Sequence, residues 1–251
     1  MDARLPVFPL GTVLFPGLVL PLHIFEARYL ELMRHLRGLP DGTPREFGVV
    51  AIRRGGSASV SAGPEPESGI GPEPRSGRPG LTDRHPNGSP VTLHEVGCTA
   101  ELRQVTELPD GRLDVVTVGR RRFRIAGVEE GATPYLTAEV EWLPEPAGQE
   151  QLADLLAPRV LSVFRRYLTL VRDDPEEISE QLPDDPTVLS HLVAATAALT
   201  LTDRQRLLAT PDTAGRLSAE LRLLNREAAL LRQVRAVPVP LTELAVPASP
   251  N

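Results

Sequence analysis

The sequence contains no lysine; its 27 Lys+Arg residues are all arginine. That absence excludes three kinds of chemistry. A Walker-type phosphate loop needs a lysine to reach the β- and γ-phosphates. A Ser–Lys dyad needs a lysine amine as its base, and a Schiff base needs one as its nucleophile. The single cysteine, Cys98, allows no intramolecular disulfide and no multi-cysteine zinc site. Aromatic residues make up only 4%, so the core must be built from Leu, Val, Ile and Ala. No apolar run approaches the ~20 residues of a membrane helix. The longest early one, Val13 to Leu22, is broken by Pro16, Gly17 and Pro21. The opening Met1-Asp2-Ala3-Arg4 lacks the basic start of a signal peptide. These features lead us to expect a soluble cytoplasmic protein with no membrane partner.

What is present is ordinary globular material. Of the 251 residues, 41% are hydrophobic and 24% charged, enough to bury a sizeable core. The formal net charge of −6 gives no overall pull toward phosphate backbones, which disfavours nucleic acid as the main partner. Arginine without lysine, with abundant Ala, Gly and Pro, suits a GC-rich bacterial genome.

Local patterns divide the chain. Leu5 to Phe8 and Leu18 to Leu20 read as short strands between Pro and Gly turns. Helical spacing from about Ile24 to Arg37 puts Ile24, Phe25, Tyr29, Leu32, Met33 and Leu36 on one face. Phe47 to Ile52 reads as a buried strand. In residues 54–90, Gly and Pro occupy 15 of the 37 positions, and Gly63 to Gly69 is nearly repeated as Gly71 to Gly77. That stretch, extended to 92, is expected to be a disordered insertion. Strands follow at Val96–Val105, Leu113–Val118, Phe123–Val128 and Leu136–Leu143, with a hairpin turn at Leu108-Pro109-Asp110-Gly111. Short turns between successive strands imply an antiparallel sheet or small barrel.

From residue 149 to 236 the pattern is helical. Pro158 is expected to kink or split the first helix. Asp185 is a candidate N-cap for a helix starting at Pro186. Another short helix opens at Thr202 to Gln205. In the last, from about Asp212 to Val234, the 4, 3, 4, 3 spacing of Leu217, Leu221, Leu224, Ala228 and Leu231 makes a packing seam. Residues 237–251 are expected to be a flexible tail. The fold class is therefore α+β, with a β-rich lobe over 1–145 and a helical lobe over 149–236.

Candidate chemical groups have bland alternatives. Cys98 is either a nucleophile paired with His94 or His23, or a small buried hydrophobe. His23 and Glu26 are either two metal ligands or the start of a helix. A Ser–His–Asp hydrolase site needs no sequence adjacency, but no Gly-x-Ser-x-Gly elbow exists. Arg120, Arg121, Arg122 and Arg124 form one basic run. It is either a phosphate-contact ridge for RNA or a solvated strand face, with Phe123 and Ile125 pointing to the core. We assign no residue to catalysis, to a cofactor or to a metal.

The stretch Leu5 to Tyr29 resembles the opening of the Lon protease N-terminal domain. The similar elements are Phe8-Pro9-Leu10, Phe15-Pro16-Gly17 and Leu22-His23-Ile24-Phe25-Glu26 with Arg28-Tyr29. Phe47-Gly48-Val49-Val50, Val96 to Glu101, Leu108 to Arg112, Gly119 with Arg122-Phe123-Arg124, and Gln205 to Leu208 extend the resemblance along the chain. The resemblance implies a PUA-like pseudo-barrel with one helix, followed by a helical bundle. It also implies recognition of protein or peptide segments, with a protease or chaperone as partner, and no catalysis of its own. The chain looks like a stand-alone form of that domain. Physically, the Pro and Gly residues set turns that let Phe8, Phe15, Phe25 and Tyr29 pack around the first helix, so the motif is mainly a folding signature.

Overall fold

A computed structural model describes residues 3–53, 82–84, 90–129, 133–171 and 182–236. The chain divides into two compact units, Met1–Pro144 with Thr200–Ala209, and Glu145–Leu199 with Thr210–Asn251.

The first unit contains strands β1 (Ala3–Leu10), β2 (Val19–Ile24), β3 (Glu46–Arg53), β4 (Thr82–Arg84), β5 (Pro90–Leu93), β6 (Val96–Glu107), β7 (Leu113–Glu129) and β8 (Leu136–Trp142), with helix α1 (Ala27–Arg37). Antiparallel pairing runs β1-β8-β7-β6-β3, and a parallel pairing of β1 with β3 closes the ring. Closure leaves these five strands without a bare edge along their paired lengths. Leu5, Val7, Val50, Phe123, Ile125, Ala138 and Val140 fill the interior. A Cβ on either Gly48 or Gly97 would come within 2.6 Å of the Phe123 ring, so the glycines on β3 and β6 make room for that aromatic. The outer side of β1 is covered too. Phe8 stacks on Tyr29 of α1 with ring centroids 3.7 Å apart. Tyr29, Leu32, Met33 and Leu36 are the buried face of that helix.

The hairpin expected at Leu108 to Gly111 forms, with Gly111 at φ 81° and its N–H donating to the Leu108 carbonyl at 3.0 Å. Three other expectations are corrected. The two strands expected at 113–118 and 123–128 are one, β7. It continues because its first half pairs with β2 and its second half with β8, while β6 pairs along both. Phe25 is not core, for the helix begins only at Ala27 and Phe25 lies outside its register. Within the expected disordered insertion, β4 and β5 are ordered strands, with β5 held by Ile52↔Leu93 and Arg53↔Thr92. Residues 54–81, 85–89 and the tail 237–251 lie outside the described residues.

Gly119 sits where β7 passes the turn that feeds β2. A Cβ there would meet the Phe15 carbonyl oxygen at 2.1 Å, a backbone atom that cannot swing aside. Gly119→Ala is expected to lower stability by about 1–3 kcal/mol, as overpacking does. A urea melt unchanged from that of the parent would contradict this.

The second unit contains α2 (Glu150–Val171), α3 (Pro186–Thr196) and α5 (Thr213–Ala236). Helix α2 runs unbroken through Pro158, so proline does not split it. Its stripe of Val160, Phe164, Tyr167 and Leu168 is buried, as are Leu217, Leu224 and Ala228 of the α5 seam. Asp185 caps α3 as expected, accepting from the N–H groups of Thr187 at 2.8 Å and Val188 at 2.9 Å. Helix α4 (Leu201–Ala209), which sequence spacing groups with the helical lobe, belongs to the β-rich unit. There the Gln205 side-chain amide donates to the Val96 carbonyl at 2.8 Å.

Candidate functional site

The Pro16-Gly17 turn aims β2. Gly17 adopts φ 80°, which favours glycine, and its N–H donates to the Gly119 carbonyl at 2.8 Å. The Gly119 N–H in turn donates to the Leu18 carbonyl at 2.8 Å. From this anchor β2 runs antiparallel to β7, from Val19↔Val118 to Ile24↔Leu113. The Thr117 hydroxyl adds a bond to the Leu20 carbonyl at 2.9 Å.

Backbone groups alternate in direction along a strand. With Leu18 and Leu20 turned toward β7, those of Val19, Pro21 and His23 turn away from it. Among the described residues β2 pairs only with β7, so this outer edge is open. It offers three carbonyls but only the N–H groups of Val19 and His23, because Pro21 has none. A proline there blunts unlimited strand addition while leaving hydrogen-bonding capacity on either side.

The side chains along this rim are apolar and exposed. Val19 is 62% and Phe25 65% accessible. On the same face, register places Val118 beside Val19 and Val116 beside Pro21. Polar groups bound the rim: His23 Nδ1 lies 2.7 Å from Asp114 Oδ1. Arg28 donates to Glu26 Oε2 at 3.1 Å and lies over the Tyr29 ring, 4.5 Å from its centroid. His23 and Glu26 thus each face a different partner. Among the described residues no group of three or more His, Cys, Asp and Glu is arranged to hold a metal ion.

Phe8, Phe15 and Tyr29 are buried, Pro9 is buried in β1, and Pro16 and Gly17 form the turn. Cys98 is buried in β6, with its Sγ 3.5 Å from the Thr99 carbonyl. His94 has its pKa lowered by burial and, secondarily, by the neighbouring Arg53 guanidinium.

The basic run is not one surface. Arg120 pairs with Glu101 at 3.0 Å. Arg121 pairs with Glu46 at 3.5 Å and lies over Trp142, 3.9 Å from the ring centroid. Arg124 is exposed and stands opposite Glu141 in the β7–β8 register. Arg122, expected to share a surface with Arg124, is buried; it donates to the carbonyls of Leu208 at 2.7 Å and Pro144 at 3.0 Å. Alternation fails at Arg122 and Phe123 because both faces of β7 are covered there, one by the barrel interior and one by α4. Beside Arg120 lies an open cavity of about 430 Å³ whose lining mixes Arg45 and Arg120 with Asp41, Glu46 and Glu101. Acids within reach neutralise the cations that a phosphate ridge would need.

Sequence reasoning missed the exposure of Phe25. The available signal was Glu26, which as N-cap residue ends the helical register at Ala27 and leaves Phe25 outside it.

Comparison with known proteins agrees with this architecture. A family model described as the ATP-dependent protease La (LON) substrate-binding domain matches residues 4–226. Lon protease 1 of Thermus thermophilus is 38% identical over 144 residues, covering 55% of this chain and 18% of that protein. Lon protease of Erwinia amylovora is 27% identical over 232 residues, covering 91% of this chain and 25% of that protein. This chain therefore spans about a quarter or less of these relatives' length. The solved N-terminal domain of Mycobacterium avium complex Lon protease superposes with a TM-score of 0.60 at 19% identity, covering 89% of this chain and 98% of that one. A Lon N-terminal domain protein from Xanthomonas campestris gives 0.53 at 22% identity, covering 88% of this chain and 98% of that one. The matched part is the substrate-binding domain rather than the protease domain, and the chain belongs to the Lon substrate-binding domain family.

Proposed function

We propose that this protein is a non-catalytic recognition module that holds extended, apolar segments of unfolded polypeptide along the β2 rim, in the manner of an adaptor or chaperone-like binder. The observation carrying this reading is the pair of exposed apolar side chains, Val19 on β2 and Phe25 just past its end, beside a strand that among the described residues pairs on one side only. Strand addition supplies backbone hydrogen bonds irrespective of sequence, and the apolar side chains select for hydrophobic neighbours. Such a binder suits clients that share exposure rather than a motif. A sequence without lysine has neither the amine base of a Ser–Lys dyad nor the phosphate-loop cation. The chain therefore retains clients for another component to process.

Titration of a fluorescent peptide from an unfolded model protein into the full chain tests this reading. Saturable binding is expected. Replacing Val19 and Phe25 together by serine should weaken it at least about tenfold, since burying one aromatic is worth ~1.5–3 kcal/mol. Both side chains are exposed, so the variant should fold. Equal affinities of variant and parent would refute the assignment.

A further inference from the structure

The helical unit carries a second recessed surface, chemically unlike the rim. A cavity of about 200 Å³ lies between α2 and the segment that opens α3. Its apolar lining includes Pro158, Leu161, Pro183 and Leu189, and the exposed residues Asp154 and Asp184 also line it. Neither carboxylate has an ion-pair partner among the described residues. The neighbouring Asp185, by contrast, is committed to capping α3.

A helical carbonyl normally receives the N–H four residues on, but Pro158 has none to give to the Asp154 carbonyl. The wall that Asp154 lines thus also lacks a regular backbone hydrogen bond. Two acidic residues beside an apolar lining suit a long side chain with an aliphatic stem and a cationic head. The net charge of −6 favours the approach of such a group.

The geometry points to a pocket for a single arginine or lysine side chain of a bound polypeptide, with its stem against the prolines and leucines and its head between Asp154 and Asp184. This subsite is separate from the β2 rim and does not depend on the reading given to that rim.

The test uses N-acetyl-arginine amide and N-acetyl-lysine amide, with N-acetyl-citrulline amide as the uncharged control. Each is titrated into the full chain while the methyl resonances of Leu161 and Leu189 are followed. Saturable shifts are expected with the cations. Added salt should weaken them. The Asp154→Asn, Asp184→Asn double variant should bind about tenfold more weakly, whereas the Val19, Phe25 double serine variant should bind as the parent does. Equal response to citrulline and arginine, or undiminished binding by the double asparagine variant, would overturn the proposal.

Discussion

Replacing Arg122 by alanine is expected to lower stability by about 3–5 kcal/mol, among the largest losses from any single substitution in the β-rich unit. The guanidinium is fully buried and donates to the carbonyls of Leu208 and Pro144. Leu208 lies in the last turn of α4, where helical carbonyls lack intrahelical donors, so Arg122 acts as a C-terminal cap delivered by a strand. Removing it leaves two buried carbonyls exposed to no water, at about 1–3 kcal/mol each, together with the void of a long side chain. Arg122→Lys should recover only part of the loss, because an ammonium cannot span two acceptors as the planar fork does. Arg124→Ala, two positions on and exposed, should change stability by less than about 0.5 kcal/mol. Urea denaturation of the three variants reads the contrast directly. Similar midpoints for the Arg122 and Arg124 alanine variants would contradict the burial argument.

That contrast also marks the limit of what the chain's local patterns reveal. The barrel strands, the hairpin at Gly111, the Asp185 cap and the α5 seam all follow from short-range rules, because each is set by residues within a few positions of one another. Arg122 differs. Alternation tells which side chains share a face of β7 but not whether an element from elsewhere covers it. Its acceptor at Leu208 stands 86 positions later. Phe25 shows the converse error. Helical spacing extended one turn too early turns an exposed rim residue into apparent core. The opening motif therefore announces the fold more clearly than the site, since most of its residues hold the turn and core that present β2. The candidate rim depends on an open edge, a property of strand pairing that no window of sequence contains.

The most pH-sensitive element of the helical unit is expected to be Glu220 on α5. Its spacing from Arg216, four residues earlier, would on a solvated helix form an ordinary surface pair. Here both residues are completely buried. The Arg216 guanidinium is directed to other acceptors, with Nε donating to the Ser190 hydroxyl at 2.8 Å and Nη2 to Glu145 Oε2 at 3.3 Å. Neither Glu220 oxygen has a hydrogen-bond partner among the described residues. Burial accordingly pushes the Glu220 carboxyl well above its ordinary value of 4.5, against the smaller opposing pull of Arg216. The native state then holds a proton that the unfolded chain releases at about 4.5. Between that pH and the higher native value the folded form binds more protons, so stability falls as pH rises, by up to about 1.4 kcal/mol per pH unit. The contribution is fully present below 4.5 and is lost on passing upward through the native pKa. Glu220→Gln keeps the shape and removes the titration. Its stability relative to the parent should climb steadily with pH above 4.5 and level off once the native carboxyl ionises. Glu220→Met, which also removes the unsatisfied polar atoms, should be more stable than the glutamine variant at every pH by about 1–3 kcal/mol. Parallel stability curves for parent and glutamine variant between pH 4 and 9 would mean that the carboxyl finds solvent or a donor in solution.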